Sequence, residues 1–477
     1  MEQTISADIL GTYRDVDMEK VEQMLCQEIR NSKKKIVVLD DDPTGVQTVH
    51  DVSVYTNWTE EDLRQGFEEE NNLFYILTNS RGFTAAQTEK VHREIAAAVS
   101  KVAADTGREF LIMSRSDSTL RGHYPLETQI LREGIEKAQG IRIDGEIICP
   151  FFKEGGRFTV NNTHYVKYGD DLVPAAQTEF AKDKTFGYTH SDICEYVEEK
   201  TGGAYKAEDV TCIALEDLRN MELDKIVEQL CAVKGFSKIV VNAIDYADVK
   251  IMSIAIYRAM ARGKNFMFRT AAALVKEMGG ISAQPLLTRE KMVVKETDNG
   301  GVIVVGSHTR KTTEQLEELK RLDGIESIEF NSDLVLNEVA FKEETERVTR
   351  RIGEIVASGK TAVAYTKRQL LVVENDTKED ALLRSVKISD AVQSLVGNLE
   401  TVPSFVIAKG GITSSDVGTK ALRVKRATVM GQIRPGIPVW QTGEESKFPL
   451  TPYVIFPGNV GDANTLREAA EILMKKA

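Results

Sequence analysis

Histidine, cysteine and tryptophan are scarce in this chain, with six, five and two copies among 477 residues. The cysteines (Cys26, Cys149, Cys194, Cys212, Cys231) are scattered, odd in number and without a CxxC pair, so neither a disulfide framework nor a zinc site is indicated. No HxxxH or HExxH spacing occurs, which argues against a histidine-built metal centre. No apolar run approaches the roughly 20 residues that span a bilayer. The opening Met-Glu-Gln-Thr-Ile-Ser has neither the basic nor the apolar region of a signal peptide, so a cytoplasmic location without a membrane partner is expected. Positive charge is also lacking. With a net charge of −12 and a pI near 5.3, general attraction to nucleic acid is excluded, and any anionic ligand must be held by locally placed cations. Glycine-rich segments occur, but none follows the Walker pattern G-x-x-x-x-G-K-[ST] or the Rossmann pattern G-x-G-x-x-G.

What is present is an ordinary globular mixture, 42% hydrophobic and 28% charged, long enough for two or three domains with real cores. Met18, Val21, Met24, Leu25 and Ile29 recur at helical spacing and predict an amphipathic helix over residues 17–32. Short β-branched runs then alternate with helical stretches: Ile36–Leu39, Leu73–Leu77, Phe110–Met113, Glu146–Cys149 and Lys238–Val241. The pattern resumes at Gly301–Val305, Thr361–Ala364, Ser404–Ala408 and Tyr453–Phe456. Such alternation predicts βαβ units on mostly parallel sheets. Glycine, proline and turn residues between Met278 and Gly301 mark a connection. The expectation is two α/β domains, residues 1–285 and 301–477, joined by a linker over 286–300.

Polar clusters follow the apolar runs at once, where open α/β sheets bind ligands. Asp40-Asp41-Asp42-Pro43-Thr44-Gly45 follows the first run, Thr78-Asn79-Ser80-Arg81 the second, and Ser114-Arg115-Ser116-Asp117-Ser118-Thr119-Leu120-Arg121-Gly122 the third. Three consecutive carboxylates need cations, a metal or sugar hydroxyls as partners. Arg81, Arg115 and Arg121 can supply the cations, and their planar forks suit a carboxylate ligand. The competing reading makes Asp40–Asp42 a turn and helix cap. His123, directly after Arg121-Gly122, is placed to line such a pocket. In the second half the strand ends carry glycines and hydroxyls instead: Gly306-Ser307-His308-Thr309, Lys409-Gly410-Gly411-Ile412-Thr413-Ser414-Ser415 and Pro457-Gly458-Asn459-Val460-Gly461-Asp462. Glycine lets backbone N–H groups approach phosphate oxygens, so these turns are candidates for a nucleotide.

Taken in order, these segments resemble the four-carbon acid sugar kinase family over nearly the whole chain after residue 35. The motif Asp-Asp-x-Thr-Gly stands as Asp41 to Gly45, and Asp-Ser-Thr-Leu-Arg-Gly as Asp117 to Gly122. Pro150 to Arg157, Phe268 to Ala272, Gly306-Ser307, Gly410 to Thr413, Pro435 to Trp440 and Gly458 to Gly461 complete the series. The resemblance implies an N-terminal domain for a sugar acid, a C-terminal domain for ATP, and chemistry in the cleft between them, with Mg²⁺ as the metal. It further implies that Asp42, Arg81, Arg115, Ser116, Asp117 and Ser118 contact substrate, with Asp41 or Asp42 as the catalytic carboxylate. Ser307, Gly410, Gly411, Pro457, Gly458, Asn459 and Val460 would contact ATP. Pro43, Arg115 and Ile412 depart from the family's usual apolar, lysine and acidic residues, which leaves the particular acid open. The competing classes are a nucleotide-dependent oxidoreductase of a hydroxy acid and a non-catalytic sugar-acid-binding protein. Either enzyme class is compatible with a homo-oligomer.

Overall fold

A computed structural model describes residues 2–369, 371, 373, 376–458 and 460–474. The chain divides into two compact units, Met1–Thr48 with Asn57–Ala283, and Val49–Thr56 with Gln284–Ala477.

The first unit is built on a parallel sheet in the order Thr211–Ile213, Ser237–Val241, Gly145–Cys149, Phe266–Thr270, Phe110–Arg115, Lys35–Asp40, Leu73–Leu77. The central strands are buried at every residue, as β-branched runs covered on both faces must be. Helix Ala85–Thr106 shows how sharply the connections are set. Thr84 and Gln87 form a capping box at its start, and Gly107 ends it at φ 62°. The predicted N-terminal helix spans Met18–Asn31, capped by Asp17, and buries Val21 and Leu25. A separate antiparallel sheet, Ile5–Ser6, Asp171–Pro174, Thr163–Tyr168, Arg157–Val160, had no counterpart in the sequence reading.

The second unit carries Ile325–Phe330, Thr361–Thr366, Val302–Val305, Val406–Lys409 and Pro452–Phe456 in parallel. The hairpin Arg426–Arg434 and Ile437–Thr442 extends it antiparallel, and Val52–Tyr55 pairs onto the hairpin. Residues 286–300, expected as a linker, are instead part of this unit. Leu287, Met292 and Val293 are buried in one core with Ile303, Val305 and Leu316. Arg289 pairs bidentately with Glu296 and donates Nε to Leu473 O, so the charged stretch is tied down rather than free. Residues 49–56 belong here too, although the sequence reading assigned them to the first domain. Among the described residues no helix is long and apolar enough to cross a membrane.

Candidate functional site

In the first unit, Lys35–Asp40 is the earliest strand of the sheet and later strands add on both sides of it, so the strand order reverses there. Such a switch point opens a crevice at the carboxyl ends of the strands. Register puts Asp40 opposite both Arg115 and Leu77, which brings the three sequence clusters to one edge.

The aspartates and arginines are interlocked. Arg81 donates Nη2 to Asp41 Oδ1 at 2.7 Å, Nε to Asp41 Oδ2 at 3.2 Å and Nη1 to Asp42 Oδ2 at 3.3 Å, with Asp117 Oδ1 3.8 Å away. Arg115 lies almost wholly buried against Asp40 at 3.3 Å and Asp41 at 3.7 Å. Asp117 accepts from Arg121 Nε at 2.7 Å and from the Thr119 hydroxyl. Asp42 also closes the Asp42–Gly45 turn, accepting from Thr44 N at 2.8 Å and Thr44 Oγ1 at 2.5 Å. The cap reading and the cluster reading therefore describe the same side chain. Gly45 is required at this turn because a Cβ there would sit 2.0 Å from the Asp40 carboxylate.

This environment sorts the carboxyls. Burial pushes Asp40 up to about 8 despite Arg115, and raises Asp41 against the pull of Arg81 and Arg115. Burial also acts on Asp42, but Arg81 and the Thr44 hydrogen bonds outweigh it and hold the carboxyl below its ordinary value. At Asp117 burial is overcome by Arg81 and Arg121, which keep it well below the usual carboxylate range. Asp42 is also the most accessible of the three consecutive aspartates, with 17% of its side chain exposed against 2–3% for Asp40 and Asp41.

The loop Asp117–Gly122 is held from outside the motif. Leu120 sits at φ 67°, a conformation that L side chains rarely adopt, and its carbonyl accepts from Tyr196 OH at 2.7 Å and Arg269 Nη2 at 3.2 Å. Tyr188 OH donates to Thr119 O at 2.8 Å, and His164 Nε2 lies 2.7 Å from Ser118 O. Burial brings His164 down to about 4, so it is neutral, donating from Nε2 to that carbonyl while Nδ1 meets Thr159 Oγ1 at 3.0 Å. His164, Tyr188 and Tyr196 carried no signal in the sequence. Ser116 is buried, bonding through its N–H to Thr270 O, and Ser118 stays half-buried. His123 is tied to Phe83 O at 3.0 Å and stands edge-on to Phe186.

Two cations at this edge remain uncompensated. Arg157 lies over the Phe180 ring with a buried, unpartnered Nε, and Arg269 lies over the Tyr124 ring. Neither has a carboxylate within ion-pair distance among the described residues, whereas Arg81 and Arg115 are already engaged by aspartates.

The second unit repeats the topology with opposite chemistry. Val302–Val305 is its first parallel strand, flanked by Thr361–Thr366 and Val406–Lys409, so its order also reverses at the first strand. Ser307, Gly410 and Gly458 converge there. A Cβ on Gly410, at φ 123°, would stand 3.1 Å from Ser307 Cβ, and one on Gly458 would stand 3.4 Å from Ser307 Oγ. Gly411 faces open space. Thr312 Oγ1 lies 3.0 Å from both Ser307 Oγ and Gly458 O, and Val460 O accepts from Gln315 Nε2. Lys409 Nζ donates to Pro457 O at 2.5 Å. Asn459, expected among the nucleotide contacts, lies outside the described residues. Among the described residues no cluster of His, Cys, Asp and Glu could hold a metal ion.

Residues 36–278 match a family described as a sugar-binding N-terminal domain, and residues 302–466 match a nucleotide-binding C-terminal domain. No curated protein matches the chain. Among crystal structures, a Haemophilus influenzae protein is similar with a TM-score of 0.60 and 17% identity, over 92% of this chain and 100% of that one. A Salmonella typhimurium LT2 protein described as a tRNA synthase is similar with a TM-score of 0.63 and 15% identity, over 92% and 99%. At such identities the likeness speaks for the fold alone. The sugar-binding unit with its buried aspartate cluster, followed by a nucleotide-binding unit with convergent glycine turns, makes this chain a member of the four-carbon acid sugar kinase family.

Proposed function

We propose that this chain is an ATP-dependent kinase that phosphorylates a hydroxyl of a small, four-carbon sugar acid. The observation that carries the reading is the division of chemistry between two switch points. One presents an ionised, accessible Asp42 in a frame of arginines, and the other presents glycine turns and hydroxyls suited to phosphates.

Phosphoryl transfer asks the protein mainly for positioning and charge neutralisation. Asp42 accepts the hydrogen bond of the acceptor hydroxyl and orients it; its low proton affinity fits a late proton transfer. Arg81 keeps Asp42 and Asp41 aligned, and Arg115 acts through Asp40 and Asp41. The substrate carboxylate is met by Arg81 at its exposed fifth and by Arg157 and Arg269, which have no carboxylate partner among the described residues, Arg269 through the guanidinium nitrogens other than the Nη2 that holds Leu120 O and Arg121 O. Asp117, Ser116 and Ser118 supply the loop wall and further hydrogen bonds to hydroxyls. In the second unit Ser307, Gly410, Gly411, Pro457, Gly458 and Val460 line the ATP site, Gly410 giving the phosphates room while its own N–H stays on Phe456 O. Mg²⁺ would accompany ATP and screen its phosphate charge.

The test is ADP release with a panel of C4 to C6 sugar acids and their uncharged polyols. Acid-dependent ADP formation with a phosphorylated product, absent for the polyols, is expected. NAD-linked oxidation of an acid without ADP release would overturn the kinase reading.

A further inference from the structure

Lys409 is wholly buried at the carboxyl end of its strand, directly before Gly410. Its Nζ donates to Pro457 O and lies 4.2 Å from the centre of the Phe456 ring. Among the described residues it has no carboxylate within ion-pair distance. Of the two buried lysines of the first unit, Lys238 Nζ sits 2.5 Å from Glu146 Oε2, whereas Lys35 Nζ is held by two backbone carbonyls, Glu69 O and Asn71 O. A buried ammonium without a counterion is costly and persists where an anion completes it.

Among the described residues the surroundings supply no such anion. Lys311, on helix Arg310–Leu319, is the charged group that bears on Lys409, and it repels. Asp462 accepts from Asn464 N and Thr465 Oγ1, both at 2.9 Å. The strands on either side end in Val305 and Phe456, which are apolar. What Lys409 does touch is the Pro457–Gly458 turn, and Gly458 closes on Ser307.

Resting on the nucleotide reading given above, we infer that Lys409 is a positioning residue that fixes the Pro457–Gly458 turn and takes up a proton when a nucleotide polyphosphate arrives, the phosphate charge acting as its missing counterion. Burial and then Lys311 bring its ammonium down to about 7, so above neutrality the empty site holds it mostly neutral. Phosphates nearby favour the charged form and draw the proton from solvent. The balance is one proton taken from buffer onto Nζ, with no covalent change.

The experiment is calorimetric titration of the full chain with MgATP at pH 8 in two buffers of different ionisation enthalpy, repeated at pH 6. Wild type should take up about one proton more than Lys409→Met at pH 8, with the difference vanishing at pH 6 where Lys409 is already charged. Affinity at pH 6 should fall about tenfold or more in Lys409→Met, and Lys409→Arg, charged at both pH values, should keep affinity without extra proton uptake. Lys409→Met should melt no lower than wild type, which separates the effect from misfolding. Equal proton uptake in wild type and Lys409→Met, with ATP still binding, overturns the Lys409 inference alone. No binding of ATP to wild type overturns the nucleotide reading and this inference with it.

Discussion

Asn in place of Asp40 should change how stability depends on pH more than it changes stability itself. Asp40 is buried, and burial carries its carboxyl to about 8 from the 3.8 of an exposed aspartate, so the folded protein holds a proton there that the unfolded chain gives up. The facing groups are Arg115 on the neighbouring strand, which opposes the shift, and Asp41 and Asp42, which reinforce it; Tyr75, on the strand at the other side, is itself raised by burial and by Asp40. With a raised folded value, the native state binds more protons across the whole window from about 4 to about 8. Its stability therefore falls as pH rises through that window and levels off above it. At about 1.4 kcal/mol per pH unit, less as the group nears its midpoint, the loss between pH 6 and pH 8 is about 2 kcal/mol. Asp40→Asn cannot lose a proton and should lack this decline. The assay is urea unfolding of both proteins at pH 6 and pH 8, with amide exchange in Lys35–Asp40 identifying the transition that belongs to this unit. Titrating groups far from Asp40 are common to both proteins and cancel in the double difference, and Tyr75, which Asp40 itself raises, titrates above this pH range. Parallel stability curves would mean that Asp40 is ionised in the folded state and that Arg115 prevails over burial.

Asp42→Asn should leave ATP affinity nearly intact while lowering kcat by about 10²–10⁴-fold, the range for a positioned acid–base group; equal losses in both would refute the division between units. Gly410→Val should raise the KM for ATP far more than that for the acid, because a β-branched side chain at φ 123° is strained and would press on Ser307 Cβ and N at 3.1 and 3.3 Å; equal effects would leave the turn a structural one. Arg81→Lys keeps the charge but cannot hold Asp41 bidentately and reach Asp42 as well, so kcat/KM for the acid should drop about tenfold or more; an unchanged value would show that a point charge suffices.

The fold was legible where the signal is local. Ile36–Leu39, Leu73–Leu77 and Phe110–Met113 read as buried strands because continuous apolar runs on a covered parallel sheet look the same in any register; Leu73–Leu77 has the expected bounds and the other two are each longer by two residues. Val52–Tyr55 carries no local signal, since its partner Arg426–Arg434 lies far along the chain, in the hairpin of the second unit to which both belong. The stretch 286–300 looked like a linker because its charges are plain in the sequence, whereas the burial of Leu287, Met292 and Val293 depends on a core built from later strands. At the site, the clusters were visible because parallel strands deliver their carboxyl ends to one edge. Which arginine is engaged was not, because Arg81 and Arg115 differ from Arg157 and Arg269 only in what the fold sets beside them. Cys194 and Cys212, unrelated by any motif, have their sulfurs 3.4 Å apart for the same reason.

Net charge is a poor guide to what this acidic chain can hold, because each unit decides locally. Three adjacent aspartates in one crevice repel one another, and the first unit separates them by raising Asp40 through burial, tying Asp41 into the Arg81 fork and leaving Asp42 the most exposed, held below its ordinary value by Arg81 and Thr44. Environments that push neighbouring carboxyls apart in this way assign them different roles. The arrangement also engages the two arginines nearest the aspartates, whereas Arg157 and Arg269 have their charge set against aromatic faces. The second unit poses the opposite problem. Among the described residues no carboxylate pairs with its buried Lys409, and burial lowers the proton affinity of that lysine. A ligand that is hydroxylated and anionic suits the first arrangement, and one that is anionic alone suits the second. Two topologically similar switch points thus differ in physical chemistry, one built on paired carboxylates and arginines and the other on glycine turns around a buried lysine.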